Sequence, residues 1–135
     1  MLNISIVIVN FNSGPFLRAA LDLIQSRRRD YELIVVDNCS SDGSADFLYH
    51  RENIRLVQLG QNLGFGTAAN AGAADAKGDF LLFLNPDAFV GEDTPERMAA
   101  YLAGDPKPGL CGALLLDFRG CEQPGSRRED PTLLR

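Results

Sequence analysis

The chain has 135 residues, 45% hydrophobic and 23% charged, with a formal net charge of −5. That is one domain's worth of ordinary globular composition. The negative balance argues against a binder that tracks nucleic-acid phosphates, which needs a basic face, and no apolar run approaches the roughly 18 residues that cross a bilayer.

Met1-Leu2-Asn3 leads directly into a first predicted strand, residues 4–9, with no basic stretch or signal-cleavage pattern before it. A cytoplasmic location is therefore expected. Ser13-Gly14-Pro15 is a helix start signal, and Leu17, Ala20, Leu21 and Ile24 follow at i, i+3, i+4, i+7. The basic run Arg27-Arg28-Arg29 falls at the end of that helix, where cations complement the dipole. A second strand is predicted over 32–36. Ser41-Asp42-Gly43-Ser44 then opens a short helix through Phe47 and Leu48, and the lone His50 sits in a polar stretch that reads as surface.

Further strands are predicted over 54–59, 80–84 and 110–116. Between them lie an alanine-rich helix over 67–76 and a helix capped by Thr94-Pro95-Glu96 that carries Met98, Tyr101 and Leu102. The strands are continuous apolar runs, as expected where both faces are covered. Strands alternating with helices at this spacing imply βαβ units, hence a three-layer α/β/α fold with a mainly parallel sheet. The three cysteines, Cys39, Cys111 and Cys121, are odd in number and lack metal-ligand spacing, which suits a reducing compartment. Beyond Phe118 the chain is polar and rich in turn formers, so residues 1–118 are expected to form the domain and 119–135 a tail.

Ligands of an open parallel sheet bind beyond the carboxyl ends of its strands. That edge carries Asn10-Phe11-Asn12-Ser13, Asp37-Asn38-Cys39-Ser40-Ser41-Asp42-Gly43, Gly60-Gln61-Asn62-Leu63-Gly64-Phe65-Gly66 and Asn85-Pro86-Asp87. Ser13, Ser41, Asp42 and Gly43 read first as turn formers and caps. Residues 10–17, 37–50, 59–76 and 84–96 contain no Lys or Arg. A phosphate ligand there needs positive charge from elsewhere, and a Mg²⁺ or Mn²⁺ ion held by Asp87 supplies it. Pro86 ends the fourth strand and pins that acid at the rim.

Gly64-Phe65-Gly66-Thr67-Ala68-Ala69 also fits G-x-G-x-x-A, and Asp87 lies 21 residues beyond Gly66, which keeps an NAD-type oxidoreductase open as an alternative. A non-catalytic nucleotide-binding module is a second alternative. Against the first, the opening βα unit carries Asn-Phe-Asn-Ser in place of the glycine fingerprint.

In order, "ISIVIVNFNS", "YELIVVDNCSSDGS", "NLGFGTAANAG" and "FLLFLNPDAFV" resemble the nucleotide-sugar half of a family 2 glycosyltransferase with the Rossmann-like GT-A fold, and within it the bacterial rhamnosyltransferase-like members. The resemblance implies an inverting transferase that takes a nucleotide-diphosphate sugar, dTDP-rhamnose among the donors, to a surface-polysaccharide acceptor. Phe11 would stack on the base with Val9 and Asn10 beside it. Asp37 and Asn38 would meet base and ribose. Asn62, Gly64, Gly66 and Asn70 would close over the nucleotide, and Asn85-Pro86-Asp87 would stand at the D-x-D position, with Asp87 on the metal. Asn85 departs from the first aspartate of that pattern and adds no charge.

The implied partners are the donor and a glycan or lipid-linked glycan acceptor, with no nucleic acid. Homo-oligomer formation, or peripheral association with the inner face of the membrane, goes with them. The catalytic residue is not identified. Of the late carboxylates, Glu122, Glu129 and Asp130, none sits in a recognisable motif, so the chain reads as a donor-binding part whose acceptor-binding half is missing and whose fifth strand is left uncovered.

Overall fold

The computed structural model describes residues 3–27, 30–104, 109–124 and 126. Four parallel strands, β1 (Ile4–Asn10), β2 (Glu32–Asp37), β3 (Ile54–Gln58) and β4 (Phe80–Leu84), lie in the order β3-β2-β1-β4. Three helices connect or follow them: α1 (Phe16–Arg27), α2 (Phe65–Ala73) and α3 (Thr94–Leu102), with a 3-10 helix at Asp46–His50. The predicted α/β architecture is present. Arg27 closes α1; Arg28 and Arg29 lie outside the described residues.

The period of two in a strand sorts the core into two layers. Ile4, Ile6 and Ile8 of β1, with Leu33 and Val35 of β2, face Leu17, Leu21 and Ile24 of α1, Leu48 of the 3-10 helix and Ala99 of α3. Val7, Val9, Ile34 and Val36 face Ala68 and Ala69 of α2. Alanines keep α2 close to the sheet, and Gly72 closes it further. A Cβ there would lie 2.5 Å from Val7 Cγ1 and 2.8 Å from Val36 Cγ2, so no side chain fits without moving the helix. At the opposite end of the strands, Glu32 accepts hydrogen bonds from the Ser5 hydroxyl and the Lys77 amide. Burial pushes the Glu32 carboxyl up, but these bonds and the Lys77 and Arg55 charges hold it below its ordinary value.

Several boundaries differ from expectation for local reasons. The helix predicted from Ser41 is a string of bends before the 3-10 turn, because the Asp42 side chain takes the backbone amides of Gly14 and Ser44 in competition with helix formation. The alanine-rich helix starts at Phe65 and ends at Ala73 instead of spanning 67–76, and α3 takes Asp93, not Thr94, as its N-cap.

The fifth strand does not form. Among the described residues, 110–116 make no ladder; Leu116 has an isolated antiparallel bridge to Glu122 across the turn at 117–121. Gly112 weakens the run as a strand. Asp117 then turns the chain back on itself by accepting the Arg119 and Cys121 amides. Leu110, Leu114, Leu115 and Leu116 stay exposed, as do Leu81 and Phe83 on the edge strand β4. Glu129 and Asp130 lie outside the described residues. His50 is on the surface, and Cys39, Cys111 and Cys121 are free thiols. No helix among the described residues is long and apolar enough to cross a membrane.

Candidate functional site

From β1 the chain passes through α1 to β2 and β3, then returns to the other side of β1 as β4. The connections therefore diverge between β1 and β4, where an open parallel sheet leaves a crevice at its carboxyl edge. A cleft of about 730 Å³ opens there. Its wall includes Val9, Phe11, Asn38, Asn62, Gly64 and Asp87, drawn from all four strand ends.

Other candidates stand elsewhere. Asn10 is 0% exposed and Asp37 6%; both sit behind the wall. Gly66, Asn70 and Asn85 are exposed but outside it. Asn10 is the hub of the buried layer. Its amide nitrogen lies 2.8 Å from Asp37 Oδ1, 2.9 Å from Ser44 Oγ and 3.0 Å from Ser40 Oγ, and its oxygen accepts from the Ser13 hydroxyl. Asp37 Oδ2 also accepts the Ser40 amide at 3.2 Å. These bonds satisfy a carboxylate removed from water.

A second set of bonds joins the loops after β2 and β3. Asn38 donates to Asn62 Oδ1 at 2.8 Å and accepts the Leu63 amide at 2.9 Å. Asn62 Oδ1 also accepts the Gly64 amide at 2.9 Å. Gly64 adopts φ 79° and ψ 163°, a region open only to glycine, and this lets the chain leave β3 over the cleft before entering α2.

The wall also contains Asn12, Ser13, Gly14, Pro15, Phe16, Asp42, Phe65 and Pro86, which were not assigned to the site from sequence. Phe11, Phe16 and Phe65 are each about half exposed, and their gathering in one wall makes an apolar patch of the kind that marks a binding groove. The flanking glycines of Gly64-Phe65-Gly66 were the available signal for Phe65.

The wall carries two carboxylates, Asp42 and Asp87, and no Lys or Arg. They differ in environment. The Ser44 hydroxyl, then the Ser44 and Gly14 amides, hold the Asp42 carboxyl below its ordinary range. Among the described residues no hydrogen bond or ion pair engages the exposed Asp87 carboxylate. No group of three or more His, Cys, Asp or Glu comes together among those residues. The arrangement offers no cage of protein ligands. It fits the mode in which Mg²⁺ or Mn²⁺ shares a single carboxylate with water and phosphate oxygens.

The glycine loop and Asp87 reach the cleft from β3 and β4, the two outer strands of the sheet. A dinucleotide fingerprint instead occupies the first βα turn, which here holds Asn10-Phe11-Asn12-Ser13.

Residues 5–130 match the family model "Glycosyl transferase family 2". The chain is 32% identical over 143 aligned positions to the N-acetylglucosaminyl-diphospho-decaprenol L-rhamnosyltransferase of Mycobacterium tuberculosis, covering 96% of this chain and 46% of that protein. It is 26% identical to the poly(ribitol-phosphate) β-N-acetylglucosaminyltransferase TarS of Staphylococcus aureus, covering 76% of this chain and 19% of TarS. The chain thus spans less than half the length of these relatives. The crystal structure of S. aureus TarS 1–349 superposes with a TM-score of 0.65 at 25% identity, over 76% of this chain and 32% of that one. The mannosyltransferase PcManGT of Pyrobaculum calidifontis, solved with GDP-Man and Mn²⁺, gives a TM-score of 0.66 at 22% identity, over 77% and 33%. That likeness shows the shared fold.

Proposed function

The chain belongs to glycosyltransferase family 2, and from that premise we propose that it is the donor-binding part of an inverting transferase acting on a nucleotide-diphosphate sugar. The observation that carries this reading is the cleft itself. It gathers an exposed aromatic ring, a fixed pair of asparagines and a lone unengaged carboxylate from four strand ends.

Each part has a task. Phe11 offers its face to a base; Asn38 and Asn62 shape the nucleoside pocket; Asp87 holds a divalent cation against the diphosphate. A cation bound there neutralises the charge that builds on the leaving diphosphate. An inverting reaction also needs a general base for the acceptor hydroxyl. Asp42 is engaged by backbone amides and Asp87 is assigned to the cation, so the wall has no carboxylate left for that role. The base and the acceptor wall are assigned to the portion that the longer relatives have and this chain does not span.

The donor assigned is dTDP-rhamnose and the acceptor a glycan or lipid-linked glycan of a surface polysaccharide, reached at the cytoplasmic face of the membrane. The likeness to the mycobacterial rhamnosyltransferase supports rhamnose as the sugar and a lipid-linked acceptor.

Base stacking on an aromatic side chain is worth about 1–3 kcal/mol, so Phe11→Ala is expected to weaken binding of dTDP or UDP, with Mn²⁺ present, by about tenfold or more. Titration calorimetry on the folded variant measures this. Unchanged affinity would remove the base pocket from the reading.

A further inference from the structure

Asp42 is a carboxylate in the wall of a cleft assigned to a diphosphate, where added negative charge opposes binding. Both of its oxygens are nevertheless engaged. Oδ2 accepts the Gly14 amide at 2.8 Å and Oδ1 the Ser44 amide at 2.9 Å. Gly14 lies in the loop after β1 and Asp42 in the loop after β2, so this side chain ties the two loops together. Asn12 makes the return tie: its Oδ1 accepts the Ser41 amide at 2.8 Å, and its own amide donates to Ser40 Oγ at 3.0 Å.

These ties brace a segment with several left-handed residues, of which Asn12 and Cys39 are the non-glycine ones. Asn12 has φ 52°, Gly14 φ 56°, Cys39 φ 68° and Gly43 φ 73°. Non-glycine residues rarely adopt such angles, and they persist where surrounding contacts over-determine them. Phe11 lies inside this laced segment, between the buried hub Asn10 and the tied Asn12. Its ring is 49% exposed and belongs to neither core layer. Backbone anchoring therefore contributes to where the half-buried ring stands.

We infer that Asp42, together with Asn12, is a positioning residue that fixes Phe11 for stacking on the base. The inference rests on the reading of the cleft as a nucleotide site. The Asp42 carboxyl, held below its ordinary range first by the Ser44 hydroxyl, agrees with a carboxylate kept ionised as a double acceptor. Its two amide bonds give Asp42 a structural task that the exposed Asp87 carboxylate does not share. A positioning role also opposes simple electrostatics in sign. Deleting an acid near a diphosphate would strengthen binding, whereas loosening Phe11 weakens it.

The test is a double-mutant cycle on the full chain, titrating dTDP and UDP with Mn²⁺ into wild type, Asp42→Ala, Phe11→Ala and the double variant, with unfolding midpoints measured alongside. With both amide bonds of Asp42 lost, Phe11 is free to leave its stacking position, so Asp42→Ala is expected to weaken binding about tenfold in the wild-type background, as loss of the base stack itself does. In the Phe11→Ala background the further loss is expected to stay within about twofold, because residues acting through one another are not additive. Should Asp42→Ala fail to fold, Asn12→Gly takes its place, since it keeps the left-handed backbone and removes only the tie to Ser41. Unchanged or tighter binding by Asp42→Ala, or an equal loss in both backgrounds, overturns the positioning role while the nucleotide site stands. Absence of binding by wild type, or a Phe11→Ala variant that binds normally, overturns the nucleotide reading and this inference with it.

Discussion

Chelation of divalent cations is expected to lower the chain's affinity for a nucleoside diphosphate by about a hundredfold or more, and Asp87→Ala to leave the remaining affinity indifferent to Mn²⁺. The cleft wall has two carboxylates and no Lys or Arg. At an effective dielectric near 20, two unit charges about 4 Å apart interact by about 4 kcal/mol, and solvent at an open cleft reduces that by about a third, to the roughly 2.7 kcal/mol of a hundredfold. Without the cation, a diphosphate at this wall meets helix N-termini, backbone amides and neutral Asn and Ser side chains among the described residues. Calorimetry in EDTA, then with Mn²⁺ and Mg²⁺ restored, measures the effect. Affinity that ignores EDTA would mean that the backbone alone holds the phosphates.

The largest stability loss is expected at Asn10. Asn10→Ala strips Asp37 of its buried side-chain donor and leaves Ser13, Ser40 and Ser44 without their shared partner. Removing one partner of a buried charge typically costs about 3–5 kcal/mol. For a neutral amide beside one carboxylate, about 3 kcal/mol is expected. Urea unfolding reads it as a lowered midpoint at unchanged slope. A loss below about 1 kcal/mol would mean that water replaces the hub without penalty.

Three of the four strands were legible as near-continuous apolar runs, 4–9, 32–36 and 80–84, the pattern of a parallel sheet with helices on its faces; the fourth, 54–58, is interrupted by Arg55 and Gln58 and is half exposed. Residues 110–116 show the limit of that signal. The run is equally apolar, but a strand also needs a partner edge, and this segment turns back at Asp117 instead. The cleft was legible as an edge and less so residue by residue. Asn10 continues the parity of Ile4, Ile6 and Ile8, so it points into the α1 layer; that parity could have placed it behind the wall. Asp42 could not be sorted the same way. Asp, Ser and Gly serve turns and ligands alike, and only the paired bonds to Gly14 and Ser44 distinguish its task. Phe65 was hidden between glycines whose spacing suggested a different cofactor.

The central claim is that this edge of the sheet is a nucleoside-diphosphate site that works with a divalent cation. Side-by-side titration of the chain with dTDP, UDP and NAD, each with and without Mn²⁺, tests it most directly. The account predicts that a nucleoside diphosphate with Mn²⁺ binds at least about tenfold more tightly than NAD, because its terminal phosphate brings to the cation a charge that the doubly esterified diphosphate of NAD lacks. NAD bound as tightly or more tightly, with no response to Mn²⁺, would contradict it.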